Sequence, residues 1–139
     1  MAFQKTIPTI HLIDDDLVLL DSLFMVLKSE GYTVRTYSSA RIFLQTSWQF
    51  ESGCIVTDVH MPEMSGLDLL AVLAVRRNVV PVIVLTGRAD ARIKDEALKL
   101  GAFNLLSKHS DTAALLASIE AALKRGNELH PFQPARFVA

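Results

Sequence analysis

The stretch Cys54-Ile55-Val56-Thr57-Asp58 is a short apolar run that stops on a carboxylate. With no polar residue alternating through it, Ile55 to Thr57, extended by Cys54, reads as a strand buried on both faces. Pro62, Ser65 and Gly66 break the chain shortly afterwards, and a helix is predicted from Leu67 to Arg77. Upstream, Thr9 to Ile13 is another buried strand, ending in Asp14-Asp15-Asp16, and Leu17 to Lys28 carries apolar residues at helical spacing up to Gly31. Tyr32 to Tyr37 is a β-branched and aromatic strand, and Ser38-Ser39 caps a short helix to about Thr46. Downstream, Val79 to Thr86 is an apolar strand ended by Gly87, and Asp90 caps a helix that reaches Leu100 and stops at Gly101. Asn104 to Leu106 is a fifth strand, and a last helix runs from Asp111 to Lys124 with Gly126 as its stop.

Five apolar strands alternating with helices specify an α/β domain with a doubly wound parallel sheet, helices on both faces, in the flavodoxin-like order 2-1-3-4-5. Residues 1–125 form this domain, and 126–139 read as a C-terminal tail or the stump of a linker. A hydrophobic content of 50% and a charged content of 21% describe a globular chain. A net charge of −1 lacks the basic excess of nucleic-acid-binding modules, and residues 126–139 are too few for a helix-turn-helix, so no direct DNA contact is expected. The single cysteine, Cys54, reads as a buried hydrophobe, and the polar start and early Asp14 argue against a signal peptide or membrane span. A cytoplasmic protein is the expectation.

In an open parallel sheet, ligands bind at the carboxyl ends of the strands, near the point where strand order reverses. The first strand ends in Asp14-Asp15, the third in Asp58, the fourth in Thr86-Gly87 and the fifth in Ser107-Lys108. Three carboxylates, a hydroxyl and an ammonium would thus share one crevice. Each piece alone is weak: an Asp pair often only caps a helix, as Asp16 is expected to, and a Lys at a strand end is usually solvated. Close carboxylates raise one another's pKa, and a hard cation such as Mg²⁺ relieves that conflict through oxygen ligands. A carboxylate beside Mg²⁺ and Lys108 can attack phosphorus, with Thr86 donating a hydrogen bond and Gly87 leaving room.

Val56-Thr57-Asp58-Val59-His60-Met61-Pro62-Glu63-Met64-Ser65-Gly66 resembles the phosphorylation loop of response-regulator receiver domains, and the likeness extends from about Thr9 to Leu123. Receivers of nitrogen-fixation-type transcription regulators look most similar. The resemblance implies that Asp58 is the phosphoacceptor, served by a sensor histidine kinase or phosphotransfer protein. It implies Mg²⁺ at Asp15, Asp58 and the backbone carbonyl of His60, with Asp14 acting through water. It further implies that Thr86 swings toward the phosphoryl group, and that His60 and Arg88 tune acyl-phosphate hydrolysis. The face of the fourth helix, fifth strand and fifth helix would meet an output domain or partner, or a second copy in a homodimer. No separate turnover substrate is implied.

Two positions depart from the family. Leu105 stands where an aromatic switch residue is usual; Phe103, two residues earlier and expected on the same face, is not given that role. His109 replaces the proline of a cis Lys-Pro bond; since cis costs about 0.5–1 kcal/mol before proline and about 3–4 kcal/mol elsewhere, Lys108–His109 is expected to be trans, with His109 exposed. These departures leave a pseudo-receiver, an interaction module that is not phosphorylated, as the alternative. A phosphatase-like hydrolase using Asp58 is weaker, because 139 residues leave no cap for a substrate. His11 is expected to be packed beside the sheet, and Trp48 at a sheet edge or in a loop.

Overall fold

The computed structural model describes residues 8–46, 52–88 and 90–129, with only the backbone of 127–129. Trp48, His130 and the rest of the tail lie outside the described residues. Strands β1 (Thr9–Ile13), β2 (Thr33–Tyr37), β3 (Gly53–Asp58), β4 (Val82–Thr86) and β5 (Asn104–Ser107) alternate with helices α1 (Leu17–Ser29), α2 (Ala40–Leu44), α3 (Gly66–Val75), α4 (Ala91–Lys99) and α5 (Thr112–Leu129). All pairings are parallel, in the order β2-β1-β3-β4-β5. The chain therefore leaves β1 in one direction to β2 and returns across it to β3, which puts the reversal between the ends of β1 and β3.

Alternation along the central strands divides the core in two. Ile10, Leu12, Cys54, Val56, Ile83 and Leu85 meet Leu20 and Leu27 of α1 and Leu115 and Ile119 of α5. Ile13, Ile55, Val82, Val84 and Leu105 meet Phe43 of α2, Leu69 and Leu73 of α3, and Ala97 of α4. Burial pushes the Cys54 thiol far up, as befits a packing residue. His11 is buried and shares a hydrogen bond between Nδ1 and the Tyr37 hydroxyl at 2.9 Å, with the Phe43 ring edge-on to it. β2 is the exposed edge, with only Tyr37 buried.

Local chemistry sets the boundaries. Asp16, Ser39, Ser65 and Asp90 each cap the next helix through a side-chain oxygen. Gly31 and Gly101 end α1 and α4 with left-handed backbone, as expected. Four expectations need correction. α3 stops at Val75 because Arg77 takes φ 55°, letting Asn78 N–H reach the Leu73 carbonyl and Arg77 N–H the Ala74 carbonyl. β4 begins at Val82, not Val79: the Asn78 side chain occupies both the N–H and the carbonyl of Val80, and Pro81 has no N–H to give. α5 passes through Gly126 to Leu129, since glycine costs a helix only about 1 kcal/mol relative to alanine. Phe103 does not share a face with Leu105. It precedes β5, where strand alternation has not begun, and packs with the α1/α5 cluster under Arg125.

Arg77 carries out a glycine's task at the end of α3. Non-glycine residues pay about 1–2 kcal/mol in this conformation, partly offset by glycine's larger unfolded-state entropy. Arg77→Gly should raise unfolding stability in urea by about 0.5–1 kcal/mol; Arg77→Ala, which keeps the Cβ, should give no gain.

Candidate functional site

Backbone bonds at the strand ends aim the polar residues. The amide of Asp14 donates to the Tyr37 carbonyl (3.1 Å), that of Val59 to Leu85 (3.2 Å), and that of Lys108 to Thr86 (2.8 Å). Each prolongs the sheet by one step. Asp14 leaves the sheet beside Asp58, and Lys108 leaves β5 two positions beyond Leu106, the residue in line with them. Lys108 Nζ then lies 2.9 Å from Asp14 Oδ2 and 3.1 Å from Asp58 Oδ2. Asp14 and Asp58 are buried, whereas Asp15 is exposed. One carboxylate oxygen from each of Asp14, Asp15 and Asp58 falls within 4.8 Å of the other two.

The three acids are not equivalent. Both oxygens of Asp14 are engaged: Oδ1 accepts from the Asp16 amide at 2.9 Å and Oδ2 faces Lys108. Burial holds its carboxyl above the usual range, although the Asp16 amide and Lys108 pull the other way, and the Asp58 charge adds to the rise. Burial pulls the Lys108 ammonium down, but its hydrogen bonds to Asp14 and Asp58 outweigh that, and its pKa is raised. Asp15 and Asp58 are left as the pair best able to ligate directly. An all-oxygen set with one exposed carboxylate suits a hard cation that keeps part of its water shell, as Mg²⁺ does.

Thr86 is fully buried, and its hydroxyl serves the loop after β4. It donates to the Arg88 carbonyl and accepts from the Arg88 amide, both at 3.2 Å. A Cβ at Gly87 would meet open space. The side chains of His60 and Arg88 are exposed. Leu105 is buried beside Val84 on β4, in the core cluster that also holds Ala97 and Ala102, with Ile93 and Leu100 packed against that cluster. No cis peptide occurs among the described residues, so Lys108–His109 is trans, and His109 is exposed with its amide on Ser107 Oγ.

Residues 10–120 match the response regulator receiver domain family. The chain belongs to that family. It is 43% identical over 127 residues to the transcriptional regulatory protein FixJ of Azorhizobium caulinodans, covering 91% of this chain and 60% of that one. FixJ of Bradyrhizobium diazoefficiens is 36% identical over 116 residues, covering 84% of this chain and 57% of its own. This receiver thus spans about three-fifths of the length of those relatives. Among solved structures, FixJ-N superposes with a TM-score of 0.77 at 33% identity, over 88% of this chain and 96% of that one. Full-length FixJ from B. japonicum gives 0.80 at 35%, over 88% and 60%. Among the described residues no helix is long and apolar enough to cross a membrane.

The structure brings Asp14, Asp15, Asp58 and Lys108 together at the strand ends; of Gly66 the sequence shows a chain break and the last position of the loop motif, but not what it rests against. A Cβ there would lie 2.1 Å from the Asp58 carbonyl oxygen.

Because Asp15 is exposed, Asp15→Ala should change stability without Mg²⁺ by less than about 0.5 kcal/mol. Saturating Mg²⁺ should stabilise the wild type by about 2.7 kcal/mol at a hundredfold excess over Kd, and this variant by far less, in thermal melts. Ionising buried Asp14 costs the folded state. Its folded pKa lies above the unfolded one, so this cost is absent at low pH and grows as pH rises through the carboxylate range. Asp14→Asn should therefore melt higher than wild type near pH 7 in EDTA, with the difference shrinking near pH 4.

Proposed function

We propose that this receiver domain takes a phosphoryl group onto Asp58 from the phosphohistidine of a sensor histidine kinase or phosphotransfer protein. The observation that carries the reading is the bridge from Lys108 Nζ to both Asp14 and Asp58 at the reversal point of the sheet. A carboxylate oxygen of Asp58 attacks phosphorus, a new O–P bond forms, and the donor's P–N bond breaks with its electron pair leaving on the imidazole. Lys108 has three donors; two hold Asp14 and Asp58, and the third is available to a phosphoryl oxygen. Mg²⁺, held by Asp15, Asp58 and the His60 carbonyl with Asp14 through water, would offset charge on the transferring group. Gly87 leaves the phosphoryl group room, and His60 and Arg88 at the rim tune its hydrolysis. The reaction ends on the protein itself, with no separate turnover substrate.

The phosphoryl group adds about −1.5 to −2 charge. A shift from 1:99 to 99:1 between two states requires about 5.5 kcal/mol of differential interaction. For Thr86 to turn toward the phosphoryl oxygens it must release the amide and carbonyl of Arg88, which loosens the loop leading into α4. The face of α4, β5 and α5 then carries the signal to an output domain, a partner protein or a second copy of the chain. The family match and the FixJ relatives support a kinase partner and an output domain; the oxygen donor set supports Mg²⁺. A cytoplasmic location follows from the kinase partnership proposed here.

A pseudo-receiver is the second reading, favoured by one observation: buried Leu105 cannot exchange between the rotamers of an aromatic switch. Acetyl phosphate with Mg²⁺ separates the two. Intact mass should show one phosphoryl group on the wild type, none on Asp58→Asn, and none without Mg²⁺. Absence of phosphorylation from both acetyl phosphate and a phosphorylated kinase, with Mg²⁺ bound, would establish the pseudo-receiver instead.

A further inference from the structure

The segment between Asp58 and α3 is closed more tightly than a connecting loop requires. Glu63 has φ 68°, and the Met64 amide donates to the Pro62 carbonyl at 2.7 Å, a three-residue turn about a left-handed centre. Such turns are rare and strained. Three residues later the Gly66 amide donates to the Val59 carbonyl at 2.8 Å, folding the segment back onto its own start. There the start of α3 presses on the peptide of the acceptor. A Cβ on Gly66 would sit 2.1 Å from the Asp58 oxygen, 3.0 Å from its carbonyl carbon and 3.1 Å from Val59 Cα. All three are backbone atoms at the end of a central strand, so nothing there is a flexible side chain able to yield.

Gly66 does not have the positive φ that would by itself call for glycine. It lies in the first turn of a helix with a complete capping box between Ser65 and Asp68, where alanine would be the better helix former. Space against Asp58 is what demands the missing side chain.

We propose that Gly66 is a positioning residue for the acceptor: closing residues 59–66 against the Asp58 peptide fixes the Asp58 carboxylate and the His60 carbonyl in register with Asp15 and Lys108. This rests on the reading of Asp58 as phosphoacceptor and cation ligand. Gly53 provides a matched control at the opposite end of β3. A Cβ there would meet the Thr9 carbonyl oxygen at 1.9 Å, far along the strand from the acids.

Gly66→Ala and Gly53→Ala are compared with wild type well below their melting temperatures. Mg²⁺ affinity is read by calorimetry and the phosphorylation rate with acetyl phosphate by intact mass. Both variants should melt lower. Only Gly66→Ala should bind Mg²⁺ more weakly and phosphorylate about 10- to 100-fold more slowly, the scale of displacing a reacting group by about 1 Å. Wild-type affinity and rate in folded Gly66→Ala would overturn the proposal, as would equal losses in Gly53→Ala. Amide hydrogen exchange of the wild type gives a second reading that does not depend on a variant folding. Mg²⁺ should slow exchange at Gly66 by more than at the Thr9 amide at the far end of the sheet, which reports only the general stabilisation; slowing at Gly66 no greater than at Thr9 would overturn the proposal. If the wild type binds Mg²⁺ yet takes no phosphoryl group from any donor, the phosphoacceptor reading fails. The positioning role would then be judged on Mg²⁺ affinity and exchange alone.

Discussion

Two buried carboxylates at adjacent strand ends, bridged by one partly buried ammonium, form the contact on which the rest of this site depends. Asp14 and Asp58 sit where the sheet reverses its strand order, so the fold brings like charges together. Lys108, from the end of β5, reaches both within 3.1 Å. Burial, with the Asp58 charge adding to it, still leaves Asp14 harder to ionise than an ordinary carboxyl. One cation facing two buried acids and an exposed third leaves the crevice short of positive charge. That shortage makes a hard divalent cation, and later an anion held with it, favourable in the same place.

The geometry of this contact is set by backbone rather than by side-chain packing. Asp14, Val59 and Lys108 each extend the sheet by one hydrogen bond beyond the strand proper, so errors in strand register would pass directly into the spacing of the charges. The closed segment after Asp58 adds a second constraint from the opposite direction, with the start of α3 resting on the Asp58 carbonyl. Asp58 is thus held by β3 on one side and by the start of α3 against its carbonyl on the other. Strained backbone at Glu63 persists because the capped helix and the Gly66–Val59 hydrogen bond fix both of its flanks.

Much of this was legible in the chain before its fold was known, because both strands and acids announce themselves by position. Apolar runs that stop on Asp14, Asp58, Thr86 and Lys108 give the parallel sheet and its crevice together. Strand alternation also explains why Leu105 faces α4. Legibility failed where the deciding partner is distant in sequence or is backbone. Phe103 was assigned a face by a strand period that starts only at Asn104. Gly126 signals a stop, yet its modest helical cost is easily carried within a long α5. Arg77 ends α3 in a conformation that composition would assign to glycine. Gly66 stands out in the sequence only as a chain break and a motif position, since the carbonyl that requires it to lack a side chain belongs to Asp58, eight positions earlier.

Leu105 bears on how such a site communicates. An aromatic ring at this position has two well-separated places to lie, exposed and buried, and so can record which way Thr86 points. Leu105 is already buried in the cluster that holds Val84, Ala97 and Ala102, and any outward turn would expose an aliphatic side chain to water for no compensating hydrogen bond. The neighbour that responds to Thr86 without this penalty is Arg88, whose amide and carbonyl both hang on its hydroxyl. Moving Thr86 frees two backbone groups just ahead of the Asp90 cap of α4, in an exposed stretch where water can satisfy them. If Asp58 is phosphorylated as proposed, coupling to the outer face would therefore be carried more cheaply by the β4–α4 backbone than by a side chain on β5.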